Sequence, residues 1–85
     1  ITLSQNYPNP FNPSSTIGYT LKTNHLVTLK IYDLLGRDIA TLVDTNQPAG
    51  NYTVVFEAAD LPSGIYFCKL IVESFIETRK MVLVR

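Results

Sequence analysis

The stretch Leu61-Pro62-Ser63-Gly64-Ile65-Tyr66-Phe67-Cys68-Lys69-Leu70-Ile71-Val72-Glu73 restricts the fold more than any other part of the chain. Pro62-Ser63-Gly64 is turn chemistry, because proline fixes φ and glycine admits φ > 0 without a side-chain clash. A β-branched and aromatic run follows, with no helix breaker and one isolated positive charge. At a period of two, Tyr66, Cys68, Leu70 and Val72 share one face, and Ile65, Phe67, Lys69, Ile71 and Glu73 the other. The first face is almost wholly apolar and the second mixed, which predicts a core strand buried on one side and partly covered on the other. Aromatic and β-branched residues after a turn decide against a helix of the same length.

The sequence on either side repeats the pattern. Thr16 to Leu21 alternates with Ile17, Tyr19 and Leu21 inward, and Leu26 to Asp33 with Val27, Leu29 and Ile31 inward. Lys22-Thr23-Asn24-His25 reads as the turn between them, which predicts that the two runs form an antiparallel pair. Asp33-Leu34-Leu35-Gly36-Arg37 is a second tight turn, with φ > 0 expected at Gly36. Asp38 to Val43 predicts a strand whose blurred alternation marks a bulge or an edge. Asp44 to Gly50 is polar and holds Pro48-Ala49-Gly50, so it reads as a loop, and Tyr52, Val54 and Phe56 face inward from a strand over Asn51 to Glu57.

The two ends of the chain carry the remaining signals. Leu3 to Pro13 holds Pro8, Pro10 and Pro13 with Asn6, Asn9 and Asn12, which rules out a helix or a central strand. It predicts an extended edge segment pinned by the buried rings of Tyr7 and Phe11. Phe75 to Arg85 predicts a final strand, linked by Glu73-Ser74 and therefore paired beside the strand that begins at Gly64. Met81 and Leu83 share one of its faces, and Lys80, Val82 and Val84 the other. Neither is polar, so a surface covered by another body is expected there, through β-augmentation or a shallow docking groove. Six clear strands and one proline-rich edge segment, with turns between and no helical period, predict an all-β, antiparallel β-sandwich of about seven strands.

Composition limits the function. Eighty-five residues make one domain, here 1–85. Seven basic and seven acidic side chains cancel, and no basic stripe for nucleic acid is visible. No apolar run is long enough for a membrane-spanning segment. The first residues lack both a signal peptide and an initiator Met, which predicts a piece of a larger protein. The single cysteine, Cys68, falls on the apolar face and is expected as a buried thiol. His25, the only histidine, reads as a solvated turn residue, and Asp33, Asp38, Asp44 and Asp60 as turn and strand-end caps. No serine sits in a nucleophile-elbow context, and there is no phosphate loop, no Cys/His metal spacing and no dense carboxylate loop for calcium. The residues therefore support neither an enzyme nor a cofactor. Without tryptophan, a sugar-binding platform would fall to Phe67 or Tyr32, for which packing on the sheet is the preferred reading.

Four stretches together resemble one family. They are Leu3-Ser4-Gln5-Asn6-Tyr7-Pro8-Asn9-Pro10-Phe11-Asn12-Pro13-Ser14, Tyr32-Asp33-Leu34-Leu35-Gly36-Arg37, Leu61-Pro62-Ser63-Gly64-Ile65-Tyr66-Phe67 and Thr78-Arg79-Lys80-Met81-Val82-Leu83. In this order they are similar to the C-terminal sorting domain of the type IX secretion system. The resemblance implies an Ig-like sandwich, not itself catalytic, that carries an N-terminal cargo in the same chain across the outer membrane to the cell surface or medium. It implies as partners an outer-membrane translocon or shuttle protein and a cell-surface sortase, which removes the domain. The positions matching the family's signal are Gly64 and Tyr66 of the Gly-x-Tyr motif, and Lys80, Met81, Val82 and Leu83 of the terminal one. Cys68 departs from an aromatic common at that position and bears on packing rather than recognition. Hook-capping Ig-like domains share parts of these motifs, so an assembly domain, an accessory Ig-like module and a carbohydrate-binding module stand as the alternatives.

Overall fold

The computed structural model covers residues 1–85 and contains seven strands and no helix. They are β1 (Thr2–Leu3), β2 (Ser14–Leu21), β3 (His25–Asp33), β4 (Asp38–Gln47), β5 (Gly50–Glu57), β6 (Gly64–Val72) and β7 (Phe75–Leu83). Two antiparallel sheets face each other, one ordered β1-β2-β5 and the other β4-β3-β6-β7. This is the Ig-like sandwich expected from the sequence. The inward faces are also as the alternation predicts: Ile17, Tyr19, Leu21, Val27, Leu29, Ile31, Phe56, Tyr66, Cys68, Leu70 and Val72 are all buried. Phe11 and Phe56 close one end of this core with ring centroids 6.1 Å apart, and Tyr19 and Tyr52 stack at 5.3 Å farther along.

Three expectations need correction. The runs carrying Tyr19 and Leu29 do not pair with each other; β2 lies between β1 and β5, and β3 between β4 and β6. Alternation marks which side of a strand is buried, and in a sandwich both sheets bury toward the same core, so it cannot name the partner. The Asp33 turn makes the choice, folding β4 back on β3, and residues 22–24 cross instead to the opposite sheet. Second, Asp44–Gln47 is strand, not loop: Thr28 pairs with Asp44, Val27 with Thr45, Leu26 with Asn46 and His25 with Gln47. On an edge strand polar side chains reach water while the backbone completes its ladder, so polarity there does not signal a loop. Third, the ring of Tyr7 is 80% exposed, although Phe11 is buried as expected. Tyr7 exchanges backbone hydrogen bonds with the exposed Thr16, at 2.9 and 2.8 Å, and therefore points outward with it. Asn6 is buried in its place, donating through Nδ2 to Ser15 Oγ at 2.8 Å, while that hydroxyl donates to Pro8 O at 2.8 Å.

The blurred alternation of β4 is explained by two register shifts against β3, at Leu29/Lys30 and Ile31/Tyr32. Each inserts an extra residue, Leu42 and Ile39, and both pack against the core from the edge strand. Gln47 at the end of β4 accepts a hydrogen bond from Tyr19 Oη at 2.5 Å, tying the sheets together on this side.

The β3–β6 pairing sets Leu29 beside Leu70 and Ile31 beside Cys68 at the centre of the core. Leu70→Ala should therefore lower stability by about 2–5 kcal/mol and the melting temperature by about 10 °C or more. Thermal unfolding measures this; a shift of a degree or two would mean that the strand buries its other face. Burial pushes the Cys68 thiol up to about 12. Alkylation by iodoacetamide at about pH 8 should then proceed only through unfolding, slow in buffer and rapid in denaturant.

Candidate functional site

The Asp33–Arg37 turn is built by one carboxylate. Asp33 Oδ1 accepts from the backbone N–H of Leu35 and of Arg37, both at 2.9 Å, and Oδ2 accepts from Arg37 Nε at 2.6 Å. The backbone N–H of Arg37, with its guanidinium and the Leu35 N–H, holds the Asp33 carboxyl below its ordinary range. Gly36 takes the left-handed conformation expected of it, φ 81°. The turn so fixed holds Leu34 and Leu35 out into solvent, 63% and 77% exposed. The pair lies outside the hydrophobic core.

The loop between β5 and β6 lies beside it. Ala58 is buried and donates its N–H to Pro13 O at 2.9 Å, and Tyr66 Oη donates to Pro62 O at 2.8 Å. Arg85 clamps this loop. Arg85 donates through Nη1 to the carbonyls of Ala58 at 3.2 Å, Leu61 at 2.8 Å and Ala59, and its N–H reaches Ser63 Oγ at 3.0 Å. Between loop and turn is a shallow hollow of about 310 Å³, walled by Leu34, Leu35, Ile39, Leu61, Ile65 and Tyr66.

The proline-rich segment reaches the same end along β7. Gln5 Nε2 and Asn9 Nδ2 donate to Lys80 O at 2.8 and 3.3 Å, and Asn9 Oδ1 accepts from Val82 N at 2.9 Å. Phe11 then pairs as backbone, its N–H to Val82 O at 2.9 Å and its carbonyl to Val84 N at 3.0 Å. The edge of β7 from Lys80 to Val84 is thus occupied by the chain's own first residues. β-Augmentation at this edge, expected from the sequence, is closed in this conformation, because the donors and acceptors an added strand needs are taken.

All four sequence motifs meet at this one end of a molecule 37 × 22 × 16 Å. The six residues singled out from the sequence divide by burial. Tyr66, Met81 and Leu83 lie in the core, with Tyr66 and Met81 paired across β6 and β7. Gly64 and Lys80 are exposed and Val82 half-buried, Gly64 opposite Leu83 and Lys80 opposite Phe67. Phe67 and Tyr32 are neighbours across β6 and β3, half-buried on the outer face of the larger sheet. Leu34, Leu35 and Arg85 were not singled out from the sequence; two exposed leucines inside a tight turn were the available signal for the first pair. Remote from this end, His25 Nδ1 lies 3.1 Å from Glu73 Oε1 and its Nε2 2.6 Å from Thr23 Oγ1. No group of three or more His, Cys, Asp or Glu side chains gathers as a metal site. No helix is long and apolar enough to cross a membrane.

A family model described as a secretion system C-terminal sorting domain matches residues 5–84. No curated protein matches the chain. The match spans three of the four motifs in full, all of the first but Leu3 and Ser4, and nearly every residue of the sandwich. The chain therefore belongs to the C-terminal sorting domain family of the type IX secretion system.

Proposed function

We propose that this domain is the non-catalytic signal that directs a cargo protein, joined at its N-terminal side, through the type IX secretion system to the cell surface or medium. The observation that carries the reading is the meeting of the family motifs at one end: the Asp33–Arg37 turn and the Leu61–Tyr66 stretch line the hollow beneath Leu34 and Leu35, and the proline-rich segment joins β7 alongside, where Met81 pairs with Tyr66. Motifs gathered only for stability would have no reason to leave two leucines exposed there. In this reading Gly64, Lys80 and Val82 meet the translocon or its shuttle protein directly. Tyr66, Met81 and Leu83 act by position, because a buried side chain reaches no partner and holds the outward residues in register instead. The cell-surface sortase acts on the segment between cargo and domain.

Fusing the domain to an unrelated periplasmic reporter should move that reporter to the surface or medium of a host with a working type IX system. A reporter that stays periplasmic would end the proposal. Deletion of Arg79–Arg85 is a poor probe, since it strips two core side chains and the Arg85 clamp and unfolds the domain itself. Lys80→Ala is the cleaner one: its side chain is exposed, so export should fall while the melting temperature stays within about a degree or two of the parent.

A further inference from the structure

The two outer faces of the sandwich differ in chemistry. β2 and β5 turn Thr16, Gly18, Thr20, Asn51, Thr53 and Glu57 outward, a solvated polar surface broken by Val55. The larger sheet turns out Tyr32, Ile65, Phe67, Ile71, Ile76 and Val82 instead, with Lys30, Lys69 and Lys80 set among them. On β3, β6 and β7 every charged side chain of this face is a lysine. Lys30 stands directly across from Lys69, a like-charge pairing that disfavours the sheet, and Lys80 lies across from Phe67 in the next row. Asp38 relieves Lys30 at 2.8 Å. The Lys69 ammonium lies 5.6 Å from the centroid of the Tyr32 ring, and neither it nor Lys80 has a carboxylate within ion-pair range. A chain of zero formal net charge has gathered unpaired positive charge on the one outer face that is also apolar.

We propose that this outer face of β3, β6 and β7, with Tyr32 and Phe67 ringed by Lys30, Lys69 and Lys80, docks an acidic, partly apolar surface of a partner protein met during export. The proposal rests on the sorting reading and names the chemistry of the partner that Lys80 and Val82 serve. Aromatic side chains at the centre exclude water, and the surrounding lysines select an acidic counterpart and speed its encounter. Asp38 and Asp44 on β4 bound the basic field on one side and fix how an acidic partner can lie. An anionic lipid surface fits less well, because recognition of such surfaces uses about four to eight clustered basic side chains and this face has fewer, flanked by aspartates. A second copy fits worst, since two-fold stacking of this face on itself brings lysine against lysine.

The test uses the reporter fusion in a host with a working type IX system. One variant carries Lys69→Glu with Lys80→Glu; the other carries Thr16→Glu with Thr53→Glu on the opposite face. The lysine pair should reduce exported reporter by about tenfold or more, with a melting temperature unchanged or raised because Glu at position 69 would face Lys30. The threonine pair should export like the parent. Parental export with undiminished export of the lysine pair overturns the docking face and leaves the sorting reading intact. Retention of the parent itself overturns the sorting reading, and the docking face with it. Phe67→p-benzoylphenylalanine in the parent fusion supplies the chemistry: a photo-adduct whose cross-linked peptide is rich in Asp and Glu supports the proposal. An adduct to a second copy, to lipid or to nothing overturns it.

Discussion

The pairing of β3 with β6 is the interaction on which the rest of the molecule depends. It sets Leu29 beside Leu70 and Ile31 beside Cys68, four side chains at most 1% exposed, and it is the only ladder joining the first half of the larger sheet to the second. The hairpins β3–β4 and β6–β7 would each be marginal alone, because a two-stranded ribbon has too little apolar area to bury. Joined, they make a surface wide enough to cover Ile17, Tyr19, Leu21 and Phe56 of the smaller sheet. That sheet has little strength of its own, as β1 is only two residues long. It holds together mainly because the core it faces is already assembled.

Much of this was legible in the sequence, and the exceptions have a common cause. The buried faces of β2, β3, β5 and β6 follow from period-two alternation, since burial acts on side chains and side chains alternate. The Gly36 turn and the bulged β4 edge were readable because backbone conformation selects residue type locally. The pairing of β2 with β5, the strand at Asp44–Gln47 and the outward Tyr7 were not. Each is decided by backbone hydrogen bonds to distant residues, and nothing in a single strand's pattern records its partner. The same limit applies to the site. Leu34 and Leu35 stand in plain sequence, but that their turn faces Leu61 and Ile65 is a property of topology.

The family's motifs mix two physical roles in adjacent residues. Within Gly64-Ile65-Tyr66 and Lys80-Met81-Val82-Leu83, alternate positions point into the core and out of it. Tyr66 and Met81 touch across the strands inside, while Lys80 stands outside opposite Phe67. A strand cannot present one side without placing the other, so a docking surface on a small sandwich is necessarily written in the same letters as its packing. On the proposed reading, loss of either set silences the motif by a different route, one through unfolding and one through contact.

The strap along β7 has a further consequence, for the order of events in a growing chain. Gln5, Asn9 and Phe11 find their partners at Lys80, Val82 and Val84, and Leu3 N–H finds Glu77 Oε1 at 3.1 Å. Contacts that span almost the whole sequence make for slow folding, because their loop-closure entropy must be met before they form. The first dozen residues therefore have nothing to settle on until the last dozen exist. A nascent or shortened chain exposes an open β7 edge, or no β7 at all, together with an unanchored leader. Completion of the sandwich thus reports that synthesis has passed β7, and the folded shape is itself a record that this last strand is in place.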